Sequence, residues 1–226
     1  MGNIVIDASN SATYMAKSKS LAVTTPSTDN RIIVCAVNGR SADPFTLSSL
    51  KMDGSSPTFS IEKRRDSAAD TVAITAYWLS PSVGSHTVIV TWSKAANRTA
   101  SMALWTLSNV DISSPHQSSA IVSQTYSGLD DGAMGFGAQS GYGTPTLGAD
   151  QTALQVGTNH AVWYTIASND GTLTATWDRD EGSSIMFAPA PEGPPSIKTI
   201  NGIVIASIKT WCGVGIADIK SVQGLT

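Results

Sequence analysis

Charge is scarce in this chain. Of its 226 residues only 14% are Asp, Glu, Lys or Arg, and 14 basic against 17 acidic residues leave a formal net charge of −3. Nucleic-acid binding rests on a clustered positive field. The one basic cluster, Lys63-Arg64-Arg65, is answered at once by Asp66 and reads as a solvated strand end. No nucleic-acid partner is expected. Cysteine is scarcer still: Cys35 and Cys212 lie far apart, which excludes a disulfide framework and a zinc site. Cys35, inside the run Arg31–Asn38, reads as a small buried residue. No apolar run approaches the roughly 18 residues of a membrane span, so no membrane partner is expected. The opening Met1–Asn10 has neither a basic n-region nor an apolar h-region, and no secretory signal is expected.

Catalytic frames are missing as well. Nucleophilic catalysis needs a Ser or Cys beside a His that a carboxylate orients. The three histidines, His86, His116 and His160, fall in turns or at strand starts with no such frame around them. The chain is expected not to be an enzyme and to need no cofactor. The densest acidic cluster runs from Asp178 to Glu181, where Asp178, Asp180 and Glu181 could offer oxygens to a hard cation such as Ca²⁺. Its spacing is not that of a calcium-binding loop, and a solvated turn is the stronger reading. A glycosidase carboxylate pair would meet in space and not in sequence, and nothing in the chain recommends one.

What is present is period-2 alternation of apolar and polar residues, the mark of a half-buried strand. It recurs at Asn3–Ala8, Arg31–Val37, Thr71–Leu79, His86–Trp92, Ala100–Leu107, Ala161–Ala167, Thr172–Trp177 and Ser184–Ala188. Turn chemistry separates these runs: Asp53-Gly54, Ser80-Pro81 with Gly84, Asp131-Gly132, Asp170-Gly171 and Glu181-Gly182. Gly135-Phe136-Gly137 and Gly141-Tyr142-Gly143 interleave aromatics with glycine and read as surface or binding loops. The fold class expected is all-β: an antiparallel β-sandwich of jelly-roll or Ig-like type over residues 1–190. A stiff Pro/Gly linker at 191–195 follows, and then a C-terminal β-meander at 196–226.

That last segment is the most regular in the chain. Ser196–Ala206, Ser207–Ala217 and Asp218–Thr226 are successive copies of one 11-residue pattern, with Ile197, Ile208 and Ile219 in the same slot. Asn201-Gly202 is a strong two-residue hairpin signal, and Cys212-Gly213 and Gln223-Gly224 occupy the same position. Two-residue loops predict that Ile200 faces Ile203 and Trp211 faces Val214. The same register sets Ile197 beside Ala206 and Ile208 beside Ala217, with Ile219 on the far side of Ala206. So narrow an apolar face is marginal alone. These five residues are the expected oligomer interface, packing on the sandwich or on sister chains.

Two stretches carry a resemblance. Trp78, Pro81, Gly84, His86, Val88, Val90 and Trp92, followed by the strand end Ser108-Asn109-Val110-Asp111, are similar to a hairpin pattern of phage and environmental bacterial β-sandwich proteins. Thr146–Trp177 looks like the second half of the same sandwich, so the likeness covers roughly residues 3–190. The C-terminal copies resemble repeats that end many phage structural proteins, where Asn-Gly usually stands at the position of Cys212-Gly213. The resemblance implies a virion component made in the host cytoplasm and assembled as a homo-oligomer, a trimer being one such state, with capsid or tail proteins as partners. Capsid decoration or a head fibre is the first expectation, and a tail-fibre or baseplate adhesin the alternative. An adhesin would bind host surface glycans on exposed aromatics, for which Tyr142, Trp163 and Trp211 are the candidates.

Overall fold

The computed structural model describes residues 3–44, 46–64, 71–96, 98–113, 116–119, 124–126, 132–141, 144–148, 150–157, 160–166, 173–175 and 181–191, and in the C-terminal segment 199–200, 203–204, 210–211 and 214–215. Among the described residues every regular element is a strand, and the strand pairings are antiparallel. The chain divides into two compact units, Met1–Ala190 and Pro191–Thr226.

The first unit is a sandwich, but a layered one. Its central sheet has the order β1 (Val5–Tyr14), β8 (Ala100–Ser108), β3 (Ile32–Arg40), β6 (Thr71–Leu79), β5 (Phe59–Arg64). A smaller sheet, β2 (Ser18–Thr25), β7 (Gly84–Trp92), β4 (Leu47–Met52), covers one face. A second five-stranded sheet covers the other: β12 (Gln151–Gly157), β13 (His160–Ile166), β11 (Met134–Ser140), β15 (Glu181–Phe187), β9 (His116–Ser119). Beyond it lies a ribbon of β10 (Gln124–Tyr126) and β14 (Leu173–Ala175).

The reason for three layers is in the central strands. Ile32–Val37 is apolar at both parities, so neither face of β3 can be left in water. Ile33, Cys35, Val37, Ile74, Trp78 and Leu104 enter one core with Leu21, Val23, Val88, Val90 and Trp92. Val34, Ala36, Tyr77, Trp105 and Leu107 enter a second with Phe136, Val162, Ile185 and Phe187. Aromatic contacts order the second core: Trp105 and Phe136 have centroids 5.1 Å apart, and Tyr77 meets Phe187 edge-on at 5.3 Å. Such pairs add about 0.5–1.5 kcal/mol each beyond area burial.

Two expectations are corrected. Trp78–Trp92 is not a hairpin, because β6 pairs with β3 and β5 in the central sheet while β7 pairs with β2 and β4 in the small one. The connection is an arch between layers. Ser80 turns it with φ 48° and Gly84 with φ 124°, a region open to glycine. Arg31 Nε donates to the Pro81 carbonyl at 3.2 Å, and Thr25 Oγ1 donates to the Ser82 and Gly84 carbonyls at 2.5 and 3.1 Å. Gly135-Phe136-Gly137 is likewise no loop but the middle of β11, a central strand. Phe136 faces the second core, and the glycines make room on the opposite face. A methyl group built on Gly137 would come within 2.8 Å of Trp163 Cε2, and one on Gly135 within 2.7 Å of Met186 Cε.

In the second unit, Ile200 pairs with Ile203 and Thr199 with Val204, joining β16 (Thr199–Ile200) to β17 (Ile203–Val204). Trp211 pairs with Val214 and Thr210 with Gly215, joining β18 (Thr210–Trp211) to β19 (Val214–Gly215). These are the facing pairs that two-residue loops predict. Ile197, Ala206, Ile208, Ala217 and Ile219 lie outside the described residues.

Candidate functional site

Residues of the Trp78–Asp111 pattern serve to build the fold. Trp78 Nε1 donates to the Ser55 carbonyl at 3.3 Å, and Trp92 Nε1 donates to the buried Tyr14 hydroxyl at 3.0 Å. His86 is buried, with Nδ1 2.7 Å from Asp53 Oδ2 and Nε2 2.7 Å from the Ser82 carbonyl. It ties the arch to the Asp53-Gly54 turn. Asp53 also accepts from the Thr87 amide at 2.9 Å. That backbone bond first, and the His86 bond second, hold the Asp53 carboxyl below the usual carboxylate range. At the strand end, Asn109 (φ 60°) donates through Nδ2 to the Asn3 carbonyl at 2.9 Å, and its own carbonyl accepts from the Ala190 amide at 2.8 Å.

Polar side chains gather instead in the β11–β13–β15 sheet. On its inward face they collect at one end, where β3 and β11 finish and β6, β13 and β15 begin. Asn38 spans the layers there: Nδ2 donates to the Ala161 carbonyl at 3.0 Å, and Oδ1 accepts from Ser101 N and Oγ at 3.1 and 3.0 Å. Thr75 Oγ1 donates to the Ser183 carbonyl at 3.1 Å. Arg40, Thr71, Ser140, His160 and Glu181 are buried around them. Register sets Ser140 between His160 and Glu181. The hydroxyl of Ser140, however, donates to the Gly39 carbonyl at 3.4 Å, while the His160 ring lies over Gly157. Among the described residues no group of three or more His, Cys, Asp or Glu side chains could hold a metal ion.

On the outward face the pattern is different. Alternation along the strands places Gly135, Gly137 and Gln139 of β11, with Ala161, Trp163 and Thr165 of β13, on the side away from the central sheet. Gln151 of β12 pairs with Thr165. Five buried atoms here have no hydrogen-bond partner among the described residues: Gln139 Oε1 and Nε2, Gln151 Nε2, Trp163 Nε1 and Thr165 Oγ1. Leaving one such group unmet costs about 1–3 kcal/mol.

The residues singled out in the sequence fare unequally. Trp163 is fully buried, with its ring against Gly137, so it offers no exposed face to a sugar. Glu181 is not in a solvated turn; it opens β15 and is buried. Asp178, Asp180 and Tyr142 lie outside the described residues, and Trp211 lies in β18. Asn38, Gln139, Gln151 and Thr165 were not legible as site residues, because a neutral polar residue in a strand carries no motif. No family model, no curated protein and no solved structure matches this chain.

Proposed function

We propose that this chain is a structural protein of a bacteriophage virion, of the capsid-decoration or head-fibre kind, displayed on the particle surface and assembled as a homo-oligomer through its C-terminal repeats. The observation that carries this reading is the recurrence of one hairpin pairing eleven residues on: Ile200 with Ile203, then Trp211 with Val214. Two-stranded hairpins are marginal in water unless a third strand or a packing surface completes them. Identical repeats from sister chains supply such a surface in a form that closes by symmetry. The layered sandwich supplies a body with two cores built from its own strands.

The test is deletion of residues 196–226, followed by light scattering in solution and by incorporation into particles. The truncated chain is expected to remain folded, fall to monomer mass and drop out of the particle. An unchanged mass together with normal incorporation would overturn the proposal.

A further inference from the structure

An open sheet ends in strands with unpaired backbone, and native chains guard such edges with charge, bulges or cover. Here the guarding is uneven. Edge strand β5 carries Glu62, Lys63 and Arg64, and β4 carries Lys51 and a bulge between Leu47 and Ser49. β2 carries Lys19, and its Ala22 carbonyl accepts from Asn10 Nδ2 at 2.8 Å. β12 is bulged between Ala153 and Gln155. β1 is different. Its bulge lies at its start, between Ile6 and Ala8, and from Ala8 to Tyr14 it runs in unbroken register with no charge and no proline. The Ser101 amide on β8 donates to Asn38 Oδ1 and so points toward β3. Alternation then turns Ala100, Met102 and Leu104 toward β1, where they meet Tyr14, Ala12 and Asn10. Ser9, Ser11 and Thr13 therefore aim their N–H and C=O groups off the sheet, and among the described residues no further backbone group bonds to them.

We propose that this edge pairs antiparallel with the same edge of a second copy, joining two central sheets into one. Charge selects that partner and that orientation. Exposed Asp7 stands at one end of the open stretch and exposed Lys17 just past the other. Antiparallel pairing of two copies brings each Asp7 to the other's Lys17, while parallel pairing sets like charges together. The midpoint of Asp7 and Lys17 is Ala12, which puts the two-fold axis there. Ser11 then meets Thr13 of the other copy with their outward groups aligned, and the two Ala12 side chains meet where the strands approach most closely. One such edge buries less than a stable complex needs, so the repeats hold the two edges at high effective concentration. In that respect the pairing rests on assembly through the repeats.

The test uses the full-length chain with Cys212→Ser, into which Ala12→Cys is introduced, or Ser60→Cys as a control on the guarded opposite edge. The two Ala12 Cα atoms would sit about 4.5 Å apart, inside the range a disulfide spans. Mild oxidation should link the Ala12→Cys chain into a covalent dimer on a non-reducing gel and leave the Ser60→Cys chain unlinked. Ser11→Pro removes one outward N–H from each copy and none from the ladder to β8. Two lost bonds should cut the linked fraction by about tenfold or more. Asp7→Lys should cut it as well, and Lys17→Asp added to Asp7→Lys should restore it, a readout that holds even if the proline variant folds poorly. No link at position 12, or equal linking at positions 12 and 60, would overturn the proposal. Light scattering on the same sample separates the two readings. An oligomer without the link keeps the repeats and removes the edge; a monomer removes the repeats, and the link alone then decides the edge.

Discussion

Replacing Gly137 with alanine discriminates between two opposite readings of the Gly-Phe-Gly segment. In a loop with ordinary backbone angles, alanine restricts the unfolded chain and stabilises by about 0.4–1 kcal/mol. In β11 the new Cβ falls 2.8 Å from Trp163 Cε2 and 2.8 Å from the Ser183 carbonyl. Neither neighbour yields easily. Trp163 is fully buried, and the Ser183 carbonyl already accepts from Thr75 Oγ1 across the layers at 3.1 Å. Overpacking of this kind costs about 1–3 kcal/mol. For a body of this size each kcal/mol lowers the melting temperature by about 2–4 °C, so calorimetry should record a fall of roughly 2–12 °C. Trp163→Leu alone also destabilises, by opening a void. In the double variant the methyl group enters part of that void, and the pair should lose about 0.5–3 kcal/mol less than the sum of the singles. A neutral or stabilised Gly137→Ala, or strict additivity in the double variant, would refute the placement of Trp163 over this glycine.

Asp53 is held below its usual range by the Thr87 amide and His86. A carboxyl lowered on folding contributes stability that is present above its unfolded value near pH 4 and lost as pH falls through the folded value. Asp53→Asn should therefore flatten the acid limb of a denaturation series. The effect should be well under about 1 kcal/mol, because the carboxylate is 48% exposed and solvent screens it; parallel acid limbs in wild type and variant would count against it. Burial pushes the Cys35 thiol and the Tyr14 phenol up. Groups raised on folding contribute stability that is present below their unfolded values and lost as pH rises through the folded ones. In a Cys212→Ser background, a thiol reagent at neutral pH should leave Cys35 unlabelled until denaturant is added, and prompt labelling would show that the core around it opens.

Much of the architecture was legible because strand patterning is local. The run Thr71–Leu79 sorts Val72, Ile74, Ala76 and Trp78 from Thr71, Thr75 and Tyr77, and the structure puts those two sets on opposite faces. What alternation conceals is whether the second face meets water or another sheet. Ile32–Val37 held that answer, since a strand with one wet face would not be apolar at both parities. The arch after Trp78 was hidden for a different reason. Turn residues such as Ser80, Pro81 and Gly84 report that the chain reverses, not which sheet it reverses into. The site was least legible of all, because unpartnered groups are a property of three-dimensional neighbours.

Two kinds of residue in β11, glycine and glutamine, depart from what a central strand favours. Sequences that specify one fold obey local rules nearly everywhere and break them where something else is required. This strand breaks two. Glycine in a strand interior costs roughly 0.5–1 kcal/mol relative to alanine, and β11 accepts it at Gly135 and Gly137. Packing answers both, because Met186 and Trp163 lie where side chains would be. The second breach is Gln139, fully buried with both ends of its amide unmet among the described residues. Packing does not answer that one, since an apolar residue of similar volume would fill the position at no hydrogen-bonding cost. Asn38, buried to the same degree in the adjacent sheet, shows how this fold treats an amide it needs for structure: both ends are bonded, and the bonds join two layers. Among the described residues Gln139 joins nothing, and its amide is the feature of β11 that packing leaves unanswered.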